Sequence, residues 1–212
     1  LADNYRITLP GPPEGMASSA TVQFDSTGRC IVNETIKLIP ISEAEAQSNQ
    51  IKNNANYTFE TVFRSITANK DVVANYNEMG QGIRPLNSYS KSLHSQSHYN
   101  ELLGQPLTAL DVDLSWTYHD GSSVPDWMGA TNTASWYSPT GWTIDYNNIY
   151  FPSSVTEQSE AGFHWSPCIG SCYYHEHEHD HLLNGGTASV TFYLQGTPVP
   201  GGSWSSSWWY TS

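Results

Sequence analysis

The stretch His175-Glu176-His177-Glu178-His179-Asp180-His181-Leu182-Leu183-Asn184-Gly185-Gly186-Thr187 decides how the C-terminal part of this chain folds. Imidazole and carboxylate alternate from His175 to His181, so a strand puts all four histidines on one face and Glu176, Glu178 and Asp180 on the other. A helix would instead align His175 with His179 and His177 with His181, and H-E-x-x-H then occurs twice, because alternating His and Glu generates it automatically. Asn184-Gly185 is a strong hairpin signal, and Thr187 to Gln195 alternates at strand period behind it. We therefore read a β-hairpin.

Register follows from the loop. A two-residue loop at Asn184-Gly185 pairs His181 with Ala188, His179 with Val190, His177 with Phe192 and His175 with Leu194. A loop at Gly185-Gly186 keeps the same parity, and a three-residue loop reverses it. With that parity the histidines share a face with apolar residues, since cross-strand partners project to the same side. Four buried imidazoles without partners are costly, so the face must line a groove, hold a ligand or pair in another register.

Working outward from the hairpin, short strands with turn chemistry between them recur. They are Leu110 to Trp116, Ser135 to Tyr137, Trp142 to Tyr146, Asn148 to Phe151 and Trp204 to Tyr210, with a turn at His119-Asp120-Gly121-Ser122. Upstream, Ala20–Phe24 and Cys30–Ile39 read as a hairpin across Asp25-Ser26-Thr27-Gly28. Ser42-Glu43-Ala44-Glu45 has capping-box spacing and opens a helix from about Glu43 to Lys52. Tyr57 to Ile66 alternates as a strand. From Thr67 to Gln105 the pattern weakens: Asp71–Met79 and Gln96–Leu103 read as short helices, with irregular Ser-, Asn- and Gly-rich surface between them. Pro10, Pro12 and Pro13 stiffen an extended N-terminal arm. The fold class read from this pattern is mainly β: an antiparallel sandwich-like domain with a few short helices in the N-terminal half. Residues 1–15 form the arm and 16–212 a single β-rich domain, with a sub-boundary open near 106.

Composition excludes several classes. Eight Lys and Arg against twenty Asp and Glu leave a formal charge of −12, which offers no basic surface for nucleic acid. No apolar run reaches the ~18 residues of a spanning helix. Charged residues are 13% of the chain, against roughly 25% in an ordinary domain, and the polar remainder is largely Ser, Thr, Asn and Gln. Together with the Leu1-Ala2-Asp3 start and abundant Tyr and Trp, this composition suits a secreted or cell-surface protein. Of three cysteines, Cys168 and Cys172 suit a small loop, Cys30 with either suits a long-range bridge, and thiolate ligation is a third alternative. The sequons at Asn33 and Asn56 carry little weight, since about two arise by chance at this composition.

The candidate site is the histidine strand. His175, His177, His179 and His181 are the types of ligand that take zinc, copper or nickel, with Glu176, Glu178 and Asp180 as outer charges. The functional expectation is an exported extracellular binding or structural module carrying such a divalent transition-metal site. One alternative is a secreted zinc hydrolase with Glu176 or Glu178 as general base. Another is a self-assembling surface or fibre subunit without a small-molecule site, its N-terminal arm adding a strand to a neighbour. Exposed Trp and Tyr would suit a polysaccharide partner. Adjacent Trp208 and Trp209 must point oppositely on a strand, so one of them is expected at the surface or in an interface. His164 beside Phe163 and Trp165 reads as packed rather than ligating, and Glu157 is one of several acids that a glycosidase pair could use.

Overall fold

The computed structural model describes residues 3–27, 31–53, 63–73, 87–167, 173–197 and 199–211. It is a two-sheet antiparallel β-sandwich. One sheet has five strands: β1 (Asp3–Leu9), β11 (Thr187–Gly196), β10 (Tyr174–Asn184), β9 (Thr156–Trp165) and β8 (Trp142–Ser153), in that order. The other has seven: β3 (Ile31–Pro40), β2 (Met16–Phe24), β12 (Ser203–Thr211), β5 (Ser88–Asn100), β6 (Pro106–His119), β7 (Trp127–Tyr137) and β4 (Phe63–Val73). One helix, α1 (Ile41–Asn53), and a 3-10 turn (Ser138–Thr140) are the helical elements among the described residues.

The alternating strands bury one face each. Leu110, Val112, Leu114 and Trp116 of β6 meet Val190, Phe192 and Leu194 of β11 in a single core with Phe163, Trp204 and Trp208. In the N-terminal segment, β1 pairs with β11 along its whole length, and the Trp208 indole N–H donates to the Leu9 carbonyl at 3.2 Å. The β10–β11 hairpin turns at Gly185-Gly186, pairing Asn184 with Thr187. Gly185 takes φ 57°, the positive value that the first central residue of a II′ turn needs. The Trp116 indole N–H donates to the Gly185 carbonyl at 2.8 Å and ties the hairpin to the opposite sheet.

Several local expectations need correction. Gln96–Leu103 is not a helix: β5 continues to Asn100, because Leu93, Ser95, Ser97 and Tyr99 alternate inward at strand period. The Ser-rich stretch is likewise no irregular surface where it is described, from 87 onward. Asp71–Val73 belongs to β4, so the helix expected from Asp71 does not begin there; the rest of that expectation lies outside the described residues, as do Tyr57 to Thr61, Val62 and all three cysteines. Trp142 to Phe151 is one strand, with a register shift between Ile144 and Tyr146. Trp208 and Trp209 do point oppositely, yet both are buried. Trp208 sits in the main core, while Trp209 packs with Ala17, Ile39 and Ala44 where α1 covers the outer face of the seven-stranded sheet.

Candidate functional site

The hairpin register places the histidines in the sandwich interior. His181 pairs with Val190, His179 with Phe192, His177 with Leu194 and His175 with Gly196. Parity is that of the sequence reading, moved by two residues because the loop is Gly185-Gly186. All four side chains are at most 1% exposed. Burial of this order is tolerable only if the ring nitrogens find partners.

The partners are hydroxyls from the opposite sheet. The Ser95 hydroxyl on β5 bridges His181 Nε2 at 2.8 Å and His179 Nδ1 at 2.9 Å. Two residues along, the Ser97 hydroxyl bridges His179 Nε2 at 2.7 Å and His177 Nδ1 at 2.8 Å. On β6, the Thr108 hydroxyl stands 3.0 Å from both His177 Nε2 and His175 Nδ1. At the other end, His181 Nδ1 meets Glu157 Oε2 at 2.5 Å, and Glu157 Oε1 accepts from the Ser159 hydroxyl at 2.6 Å. Glu157 and Ser159 are fully buried on β9, the strand beside β10. Two strands of period two face each other, so His-x-His-x-His on one meets Ser-x-Ser on the other in step.

Aromatic rings wall the row. His175 is stacked between Tyr99, 3.9 Å away, and Trp142, 4.2 Å away. Phe163 meets His177 edge-on, and Phe192 meets His179 likewise. His175 Nε2 is the one ring nitrogen of the row that is buried without a hydrogen-bond partner. Burial pushes His175 and His179 well below the ordinary histidine value, with neighbouring imidazoles adding to the effect. His177 is pushed down to about 3, by burial first and then by His98, against a smaller pull from Asp111. These three rings are therefore neutral at physiological pH.

The acids between the histidines face away from them. Glu176 and Glu178 lie on the outer face of the five-stranded sheet, where one oxygen of each comes within 4.8 Å of the other and of Glu160. Burial pushes Glu178 up to about 7; the Gln158 amide, donating to it at 2.7 Å, opposes this, while Asp180, Glu160 and Glu176 add to it. Neither acid shares a site with an imidazole of β10, because strand geometry separates the alternating residue types. His164 is also on that outer face, paired with Asp145 at 2.5 Å. Asp111 and Asp113 flank His94 on the outer face of the other sheet, at 3.6 and 2.8 Å.

Ser95, Ser97, Thr108 and Ser159 were not legible as site residues. Serine in a polar stretch reads as surface, and the one available clue was the Ser-x-Ser spacing between Leu93 and Tyr99. Glu157 stood among several candidate acids until the fold buried it. No protein-family model, no curated protein and no solved structure matches this chain.

Proposed function

We propose that this chain is an exported β-sandwich module with a binding or structural role, and that its histidine strand serves the interior rather than a substrate. The observation that carries this reading is saturation. Every ring nitrogen of the row except His175 Nε2 already has a partner, and no ring is more than 1% exposed. A hydrolase has to bring water and substrate to its catalytic groups, and these groups meet hydroxyls and aromatic rings instead. Zinc, copper or nickel on the same four rings, the competing reading, requires the rings to leave those hydroxyls. The Ser-, Thr- and Asn-rich composition with few charges supports an extracellular setting. A ligand would meet the outer face of the five-stranded sheet, where Asn4, Arg6, Glu176, Glu178, Tyr193 and Gln195 line a depression of about 270 Å³. An aromatic ring among amides and charges is the chemistry that holds a polyhydroxylated ligand.

The test is metal content by plasma mass spectrometry on protein prepared without a His tag or metal column, with melting curves in chelator. The expected result is far less than one metal per chain and a melt that chelator leaves unchanged. Stoichiometric metal with a chelator-lowered melt overturns the reading in favour of a metal centre.

A further inference from the structure

Each hydroxyl of the histidine row stands between Nε2 of one imidazole and Nδ1 of the next. A hydroxyl has one proton, and a neutral imidazole has one N–H and one lone pair. A hydroxyl between two rings is satisfied on both sides only if it accepts from one ring and donates to the other. A neutral ring between two hydroxyls obeys the same condition. With all four rings neutral, the choice at one link sets every other link, and two arrangements satisfy the row.

In the first, Glu157 is ionised. His181 donates its Nδ1–H to Glu157 and accepts from Ser95 at Nε2. The same sense repeats through His179, Ser97, His177 and Thr108 to His175, whose Nε2 is bare. In the second, Glu157 carries a proton on Oε2 and donates it to His181 Nδ1, and all four rings carry Nε2–H. The second arrangement contains one proton more than the first.

The geometry points to a proton relay along the histidine row: one proton from solvent, accepted at His175 Nε2, is passed along the row, neutralises Glu157 and reverses the tautomer of all four histidines. From His175 to His181 the row runs six residues of strand, about 20 Å. When the proton binds Nε2, His175 releases its Nδ1 proton to the Thr108 oxygen, and Thr108 passes its own proton to His177 Nε2. Ser97 and Ser95 repeat the exchange, and the Nδ1 proton of His181 ends on Glu157 Oε2. At each ring one N–H bond forms and one breaks, and at each hydroxyl one O–H bond forms and one breaks. The net change is one proton gained, and the charge of the row goes from −1 to zero.

The surroundings keep the proton from resting at His175, His177 or His179. Burial disfavours a standing imidazolium at His175, His177 or His179. Among the described residues, the charged and titratable groups facing the row are few. Asp180 lies beside His181 and Glu157 on the outer face of β10, with Arg6 near it. His94, His98 and Asp111 act on His177 and His179 from the far side of the seven-stranded sheet. Around His175 are Tyr99, Trp142 and the Thr197 backbone.

Imidazole ¹⁵N spectra of metal-free, histidine-labelled protein test this, since a protonated and a bare nitrogen resonate far apart. At neutral pH the four rings are expected to share one tautomer; a mixture overturns the relay. In Glu157→Gln the amide can donate to His181 Nδ1 while its carbonyl accepts from Ser159. All four rings, His175 included, are then expected to carry Nε2–H. A change confined to His181 overturns the proposal. Should that variant fail to fold, the wild-type acid titration decides: a common midpoint for the four tautomers supports the relay, and separate midpoints overturn it. Metal content and tautomer order are separate readouts, because the tautomers are read on protein stripped of metal.

Discussion

His179 is a buried imidazole of one sheet and His94 a half-buried imidazole of the other, and their surroundings drive them to opposite states. His179 lies between the sheets with hydroxyls on both nitrogens, and burial keeps it neutral. His94 lies on the outer face of β5 against Trp209, and burial acts on it in the same direction. There Asp111 and Asp113 outweigh burial and raise it to about 9. Burial alone therefore does not decide charge; the chemistry of the partner does. A hydroxyl satisfies either tautomer of a neutral ring, whereas a carboxylate rewards the charged one.

Acid should break the comparison most forcefully. His175, His177 and His179 have folded values below the unfolded value of about 6.5, so below that pH the unfolded chain binds protons that the folded chain does not. Stability should fall by about 4 kcal/mol per pH unit as pH drops below about 6.5, from three groups at about 1.4 each. Urea denaturation from pH 7 to pH 5 measures this; a flat profile would mean that the rings are not buried neutral.

A cut through the row comes next. Ser97→Ala leaves His179 Nε2 and His177 Nδ1 without their hydroxyl, at about 2–6 kcal/mol for two buried polar atoms. Ser92→Ala, on the same strand, removes only a half-buried bond to Ser115 and should cost under about 0.5 kcal/mol. Equal costs in denaturant titrations would sink the claim that the interior row is special.

His94 should show the opposite pH sign, and a smaller effect. Its folded value exceeds the unfolded one, so its contribution is fully present below about 6.5 and is lost as pH rises through about 9. The loss is at most about 3 kcal/mol across that window, and Asp113→Asn should shrink it. Denaturation at pH 6.5 and pH 9.5 in both proteins measures the difference.

Legibility followed chain locality. The β10–β11 hairpin, the strand parity of the histidines and the helix behind Ser42 all rest on residues within one element or its neighbour, and all appear in the structure, although the hairpin loop is Gly185-Gly186 rather than Asn184-Gly185. The strand β5 did not, because inward-facing Ser95 and Ser97 resemble surface serines when their partners are some eighty residues away in sequence. Trp209 shows the same limit. Its direction on β12 was legible, but α1, which covers it, packs there through tertiary contact.

By itself the amino-acid sequence determined a mainly β chain, an acidic surface and four histidines on one face of a strand. Period two and turn chemistry are properties of the backbone, which acts over a few residues at a time. What that face meets was decided only when two sheets closed on each other. Ser95, Ser97, Thr108 and Glu157 come from three different strands, and they satisfy the imidazoles because sandwich packing sets β5 and β6 opposite β10 in matching step. A buried ring nitrogen must find a partner, and its identity is fixed by distance in space rather than along the chain.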